Sequence, residues 1–420
     1  MTDITAELRR CAKCGKCRAV CPTFLVSRDE AKVARGRISL LEALLEGRLI
    51  PTCYGREILM SCYGCMRCSE ACPSSVRIDL IVRSAREILA REMGLSRFAR
   101  FVFRQVLPRR RIYDGAISAA RFLQRFLRKS RSQPLRHLPM FFKGKRNVPR
   151  IAAMPALRRL PEISKGRGDI KVALFIGCML NYVYPEIAAS IMHILELHGV
   201  DIILPRSQLC CGTPVLAYGD MDAARALARR NVECLEPDKV DAIVTGCASC
   251  GLTMKRDYPV LLKGAEQFSK KIYDISEFIH DFLGYSNLSL DERITYHDPC
   301  HLRWGRGVSE PPRELLRQSC RFVEMERAGE CCGLGGSFSL THYDVSCALG
   351  KAKVDAVRAS GADIVATACP GCILQLQDQL AKQQIKTPVM HVAQIYEMSY
   401  LKGRDFPGSP ARQTSKTSRE

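Results

Sequence analysis

Cys210-Cys211-Gly212, within SQLCCGTP (207–214), and Cys331-Cys332-Gly333, within AGECCGLGG (328–336), are the stretches whose reading decides the fold. Adjacent cysteines on an extended backbone project to opposite sides. Both reach one small object only if it is inorganic and the backbone bends around it, and a metal cluster is such an object. Upstream of each pair stands one cysteine (Cys178; Cys300), and downstream a C-x-x-C (Cys247 and Cys250; Cys369 and Cys372). The intervening lengths are 31 and 30 residues before the pairs and 35 and 36 after them, and Cys178 and Cys300 stand 122 residues apart. Five cysteines in the same order, twice, describe a duplicated module.

The residues around those cysteines give the module its architecture. KVALFI (171–176) reads as a short buried strand leading to Cys178, and RITYH (293–297) leads in the same way to Cys300. A second apolar strand (200–204; 321–325) precedes each Cys-Cys-Gly turn, and a helix (222–235; 343–360) follows it. A third strand (242–244; 364–366) then delivers the C-x-x-C to the start of another helix. Alternating strands and helices predict two α/β units with small parallel sheets, in which ligands gather at the carboxyl ends of strands. Gly212, Gly333, Gly335 and Gly336 suit close backbone approach and amide hydrogen bonds to cluster sulfides. His297 and His301 flank Cys300 and could bind iron; closing a local turn is the commoner role for such histidines and is the reading adopted, with Asp298 in the same turn.

Upstream, CAKCGKCRAVCP (11–22) and CYGCMRCSEACP (62–73) both read C-x2-C-x2-C-x3-C-P. Three cysteines three residues apart wrap one cubane, and the fourth faces the other cluster. Cys11, Cys14, Cys17 and Cys72 are thus assigned to one [4Fe-4S] cluster, and Cys62, Cys65, Cys68 and Cys21 to a second. Zinc needs four ligands and has no use for the third spaced cysteine or the Cys-Pro ending. The residues between the motifs look helical (Ile38, Leu40, Leu41, Leu44, Leu45, stopping at Gly47), as does the run from Val76 to Met93. Of the cysteines outside the pattern, Cys53 reads as a small buried residue, and Cys234 and Cys347 as core positions of helices.

Composition bounds the rest. The 420 residues, 47% hydrophobic and 25% charged, suit an ordinary multidomain globular chain. The 22 cysteines, in a chain whose first residues lack a signal-peptide core, predict a reducing cytoplasmic setting and metal rather than disulfides. The net charge of +21 is local: residues 97–167 hold 20 Lys+Arg against Asp114 and Glu162. Aromatic and aliphatic residues at helical spacing alternate there with arginine, which predicts one or two amphipathic helices, then an extended, proline-punctuated linker. Such a face suits an anionic membrane surface or an acidic partner. No nucleic-acid module accompanies it, and nucleic acid is not expected. The predicted fold is multidomain α and α/β: a helical di-cluster ferredoxin domain (1–95), a basic connector (96–168), two tandem α/β cysteine-rich domains (169–290 and 291–402) and a polar tail (403–420).

On these residues the chain resembles the iron–sulfur subunits of glycolate oxidase and respiratory lactate dehydrogenases, which share their layout with the catalytic subunit of membrane-bound heterodisulfide reductase. The resemblance rests on CAKCGKCRAVCPTF (11–24), ARGRISLLEALLEG (34–47), the second ferredoxin motif with Cys72-Pro73-Ser74, and both modules including YHDPCHL (296–302). It implies a subunit that takes electrons from an FAD-containing hydroxy-acid oxidase subunit and passes them toward the quinone pool, peripheral on the inner face of the cytoplasmic membrane. It further implies one or two iron–sulfur clusters in the modules beside the two ferredoxin cubanes. In heterodisulfide reductases each complete module holds a non-cubane [4Fe-4S] cluster that cleaves a disulfide. All ten module cysteines are present here, so a disulfide reductase is the alternative.

Overall fold

Runs such as Val172-Ala173-Leu174 and Ile364-Val365-Ala366 have no side chain that needs water, and each becomes a strand covered on both faces. The computed structural model describes residues 4–127, 149–285 and 290–404. One sheet contains β1 (Ile163–Ser164), β2 (Lys171–Leu174), β3 (Asp201–Ile203), β4 (Ala242–Thr245) and β5 (Ile272–Asp274), in the order β1-β3-β2-β4-β5. The other contains β6 (Leu290–His297), β7 (Cys320–Phe322), β8 (Ile364–Thr367) and β9 (Val389–His391), in the order β7-β6-β8-β9. Every pairing is parallel except β1 with β3, so the expectation of parallel sheets needs correcting at that edge. Strands β1, β5 and β9 have two or three residues, too few to show a periodicity.

Leu174 pairs with Val244 in the first sheet and Tyr296 with Ala366 in the second. The 122-residue period therefore puts Phe175 and His297 at the same point of the two sheets. In each sheet the chain leaves the central strand toward one neighbour and later returns on its other side, which opens a crevice at the carboxyl ends. The two sheets share one core, in which Ile191, Val244, Ile294, Val365 and Tyr396 belong to a single buried cluster. Helix Val392–Arg404 of the second module lies on helix Pro185–Leu197 of the first, with His193 Nδ1 2.7 Å from Glu397 Oε1.

The N-terminal part is helical as expected, with Ala34–Leu45, Cys53–Met60 and Ile78–Glu92 packed around Leu41, Leu59, Ile81 and Ala85. Cys53 corrects its reading: it opens a helix and is exposed, because Thr52, and not the cysteine, caps that helix against Gly55 N–H. Cys234 and Cys347 are half-buried, at the margins of their helices' inner faces.

The basic stretch forms helix Arg97–Phe101, a π-helical turn Val102–Val106, and helix Arg110–Leu127. Phe103 enters a core with Leu216 and Leu227, and Arg104 forks onto the buried Asp220 at 2.9 and 3.0 Å. Residues 128–148, on which most of the linker reading falls, lie outside the described residues, as do 405–420 of the tail. The remainder of the connector is not simply extended: it turns into helix Ala156–Arg159 and then supplies β1.

Candidate metal centres

Gly212 and Gly333, both at φ +92°, bend the backbone at the Cys-Cys-Gly turns so that the two preceding sulfurs converge. A side chain at Gly333 would meet the Ser346 carbonyl at 2.5 Å, so helix Tyr343–Ser360 can press directly onto the turn. Cys247 and Cys369 stand at the N-caps of the helices that follow β4 and β8. Of the ten module cysteines eight are buried, and Cys178 and Cys300 are half-buried.

Their thiols form one unbroken line. Cys178 contacts Cys210, Cys210 contacts Cys211, and Cys211 contacts Cys250, which meets Cys247. Cys247 then touches Cys369 of the other module, and the line continues through Cys372, Cys332 and Cys331 to Cys300. The modules thus face each other through their C-x-x-C turns. Hydrogen bonds from Cys210 and Cys250 hold the Cys211 thiol well below its ordinary range, and bonds from Cys331 and Cys372 do the same for Cys332. Cys332 and Cys372 sulfurs stand 3.7 Å apart. Two thiolates on one tetrahedral metal, with bonds of about 2.3 Å, adopt that same spacing.

The ferredoxin motifs reach this line. Burial, then the charges of Cys65, Cys62 and Cys21, push the Cys68 thiol well above its ordinary value, so these four sulfurs form one group. Cys65 also lies beside Cys300 of the second module. Cys17 neighbours Cys11 and Cys21, and Cys11, Cys17 and Cys72 flank the same helical core. Cys14 is the exposed member and opens on a surface hollow with Arg18 and Arg35. The ferredoxin helices are tied to the modules by Arg83 on Asp257 at 2.6 Å and by Tyr63 against Phe338, with ring centroids 3.8 Å apart.

Two residues of the site, Arg37 and Arg86, belong to no cysteine motif in the sequence. Both are buried in the ferredoxin core. Arg86 donates to the carbonyls of Leu59 at 3.0 Å and Cys62 at 2.7 Å, and Arg37 to the Ile58 carbonyl and the Ser61 hydroxyl at 3.1 and 3.0 Å. Burial raises the Cys62 thiol, but these two guanidiniums overcome it and hold the thiol below its ordinary value. A buried cation bonded to neutral acceptors calls for an anion nearby, which an anionic thiolate-bound cluster supplies. An arginine within an otherwise apolar helical stripe was the available signal.

The histidine readings are corrected. His297 caps nothing: it is fully buried, neither ring nitrogen has a hydrogen-bond partner, and it groups with Cys332 and Cys372. The nearby Ala328 carbonyl already accepts Asp298 N–H and Lys353 Nζ, at 3.2 and 3.1 Å. Burial above all holds this imidazole down to about 3, so it is neutral. His301 Nδ1 shares a 2.9 Å hydrogen bond with the Ser249 hydroxyl across the module boundary. Asp298 is buried and takes Arg313 in a two-pronged ion pair, at 2.8 and 2.6 Å. Among the described residues, a cavity of 670 Å³ opens where the three parts meet, bordered by Cys62, Cys65, Cys211, Cys250, His301 and Cys369.

A 4Fe-4S dicluster domain matches residues 7–76, and a cysteine-rich domain matches twice, at 172–255 and 294–377. The chain belongs to this iron–sulfur family. It is 29% identical to the "Probable glycolate oxidase iron-sulfur subunit" of Bacillus subtilis, over 93% of both chains. It is 30% identical to "Lactate utilization protein A" of an Exiguobacterium species, over 53% of this chain and 96% of that one. It is 28% identical to one subunit of the dihydromethanophenazine:CoB–CoM heterodisulfide reductase of Methanosarcina acetivorans, over 89% of both. A solved structure of a hypothetical protein from Helicobacter pylori covers 95% of this chain and 72% of its own, at TM-score 0.52 and 11% identity, a likeness of fold. This member of the family is an iron–sulfur electron-transfer protein with several clusters.

Proposed function

We propose that the chain is the iron–sulfur electron-transfer subunit of a membrane-associated, FAD-dependent 2-hydroxy-acid oxidoreductase, taking electrons from a flavin subunit that oxidises glycolate or lactate and passing them toward quinone. In this reading Cys11, Cys14, Cys17 and Cys72 hold one [4Fe-4S] cluster and Cys62, Cys65, Cys68 and Cys21 the other. The modules hold one or two more, on Cys178, Cys210, Cys211, Cys247 and Cys250 and on Cys300, Cys331, Cys332, Cys369 and Cys372. Bound clusters supply one-electron chemistry at potentials set by cluster type, charge and hydrogen bonding. The protein's residues supply the spacing, the buried positive charge of Arg37 and Arg86, and exclusion of water.

The observation that carries the reading is the unbroken line of sulfurs. On the ferredoxin side Cys17 stands beside Cys11 and Cys21, and Cys21 beside Cys65 and Cys68. From Cys65 the line enters the second module at Cys300, crosses at Cys369 and Cys247, and ends at Cys210 and Cys178. There Tyr113, from helix Arg110–Leu127, lies over the last two cysteines. Anaerobically purified protein is expected to contain about 12 to 16 Fe per chain, and a native pull-down to recover an FAD-containing oxidase subunit. Iron near eight with stoichiometric zinc would remove the clusters from the modules.

Helix Arg110–Leu127 also supports the membrane part of the reading. Its inner face carries Arg110, Tyr113 and Asp114, with Tyr182 donating to Asp114 at 2.6 Å. Its outer face exposes Ile112, Phe122 and Leu123, and Phe98 and Phe101 are exposed on the preceding helix, with Arg97, Arg100, Arg109 and Arg111 among them. An apolar face studded with arginine fits an anionic bilayer surface. No helix among the described residues is long and apolar enough to cross a membrane. Replacing Arg109 and Arg111 with Gln is expected to weaken flotation with phosphatidylglycerol vesicles by about 2 kcal/mol, roughly thirtyfold, in low salt. Equal binding to neutral vesicles, or no change in the variant, would remove the bilayer from the reading. Arg110 is left alone because it holds the Gln208 carbonyl at 3.0 Å.

The 670 Å³ cavity beside Cys211 and Cys369 favours the second reading, reduction of a disulfide at a module cluster. Turnover of a thiol-cofactor heterodisulfide by the isolated chain with reduced viologen, without any flavin partner in the native complex, would select it over the first.

A further inference from the structure

The two modules differ at one point of their otherwise matched architecture. Where β2 runs out toward Cys178 the first module has Phe175, and at the same register the second has His297. Both rings are fully buried. A side chain built at Gly177 would lie 3.2 Å from both the Phe175 ring and the Cys250 sulfur, so the phenyl ring abuts the C-x-x-C turn of its module. His297 occupies the corresponding place, with a ring nitrogen and the sulfurs of Cys332 and Cys372 all within 4.8 Å of one another.

An apolar ring satisfies this position in the first module. One side of the ring approaches the Ala328 carbonyl without a well-formed hydrogen bond, and a buried imidazole nitrogen left unpartnered costs about 1 to 3 kcal/mol, a cost that an apolar ring at this position does not carry. Thr245 and Thr367 have buried, unpartnered hydroxyls at matching positions of both modules and do not distinguish them. The histidine does. The Cys332 and Cys372 sulfurs, 3.7 Å apart, already have the spacing of two thiolates on one tetrahedral metal. The third corner on that side faces a ring with a free lone pair, and a neutral imidazole is an ordinary ligand for iron.

We propose that His297 is a sixth protein donor of the second module, one imidazole nitrogen coordinating the iron held by Cys332 and Cys372, and that the first module, with Phe175, has thiolate ligands alone. This deepens the electron-transfer reading and rests on the modules holding iron. The neutral ring donates its lone pair and keeps its other N–H, so no proton or electron is transferred on binding. The two modules then carry chemically different centres, and the histidine-bound one is that next to Cys65 of the ferredoxin part.

The test is pulsed EPR of the anaerobic full-length protein, in its paramagnetic oxidation state, with ¹⁵N-labelled histidine in a Cys211→Ser background that silences the first module. A directly bonded histidine nitrogen is expected, lost in His297→Phe while the ferredoxin signals persist. Phe175→His, in a Cys332→Ser background, is expected to create a histidine coupling in the first module. Iron in the second module with no histidine coupling, or a coupling that survives His297→Phe, overturns the ligation and leaves the electron-transfer reading intact. A second module without iron overturns the ligation, and iron in neither module removes the module clusters from the electron-transfer reading as well. If the phenylalanine variant fails to fold, His297→Asn takes its place with the same expected loss, and a native labelled protein with iron in the second module and no histidine coupling overturns the ligation by itself.

Discussion

Cys332→Ser is expected to abolish the EPR signal of the second module and remove about four iron atoms per chain, and Cys211→Ser to do the same for the first. Both cysteines sit mid-line, hydrogen-bonded from sulfurs on either side, and their thiols are held well below the ordinary value. These are positions built for a thiolate. Serine is a hard donor that stays protonated, so the substitution removes the ligand while almost conserving volume. The ferredoxin signals should survive, because Cys21, Cys62, Cys65 and Cys68 converge on separate loops. Cys320→Ser is the control: that sulfur is buried too, but it bonds the Leu316 carbonyl at 3.1 Å, away from the line, and its loss should leave the iron unchanged. If either variant lost all signals together, the division of the cysteines between ferredoxin and module groups would be wrong.

Arg86→Leu should have the largest effect on the ferredoxin part, a loss of stability of about 3 to 5 kcal/mol together with the cluster at Cys62. The guanidinium is buried and holds the carbonyls of Leu59 and Cys62, so it fixes the entry to the Cys62-x-x-Cys65 loop. Leucine fills much of the space but leaves those acceptors without a donor, and withdraws one of the two cations that favour the Cys62 thiolate. Arg86→Lys keeps the charge but not the fork, and should fall between the two. Chemical unfolding of the apo and holo forms, with iron analysis, separates the contributions. An unchanged midpoint with full iron would show that the buried arginine has no such role.

What can be read from the chain alone follows from strong local chemistry. Cysteine spacing, short apolar runs ahead of each cysteine and helical periodicity are all encoded within about thirty residues, so the repeat, the helical N-terminus and the paired α/β modules are legible. The edge strand β1 is not, because two residues carry no period and its partner β3 lies nearly 40 residues away. Arg37 and Arg86 escape notice because charge on a helix normally points to water, and only tertiary packing turns them inward. A local turn suggests itself for His297 because the sequence places it beside Cys300; the fold points it instead at sulfurs from two other loops.

The Cys-Cys-Gly repeat by itself determined that there are two modules and where their ten cysteines fall along the chain, since residue type and spacing are properties of the covalent chain. Only the tertiary structure decided that Cys247 meets Cys369, that Cys65 approaches Cys300 of the second module, and that the line ends beneath Tyr113. Those contacts join residues from distant parts of the chain, and they depend on how two sheets share one core and how helices close over it, a balance of packing that no local stretch of sequence contains.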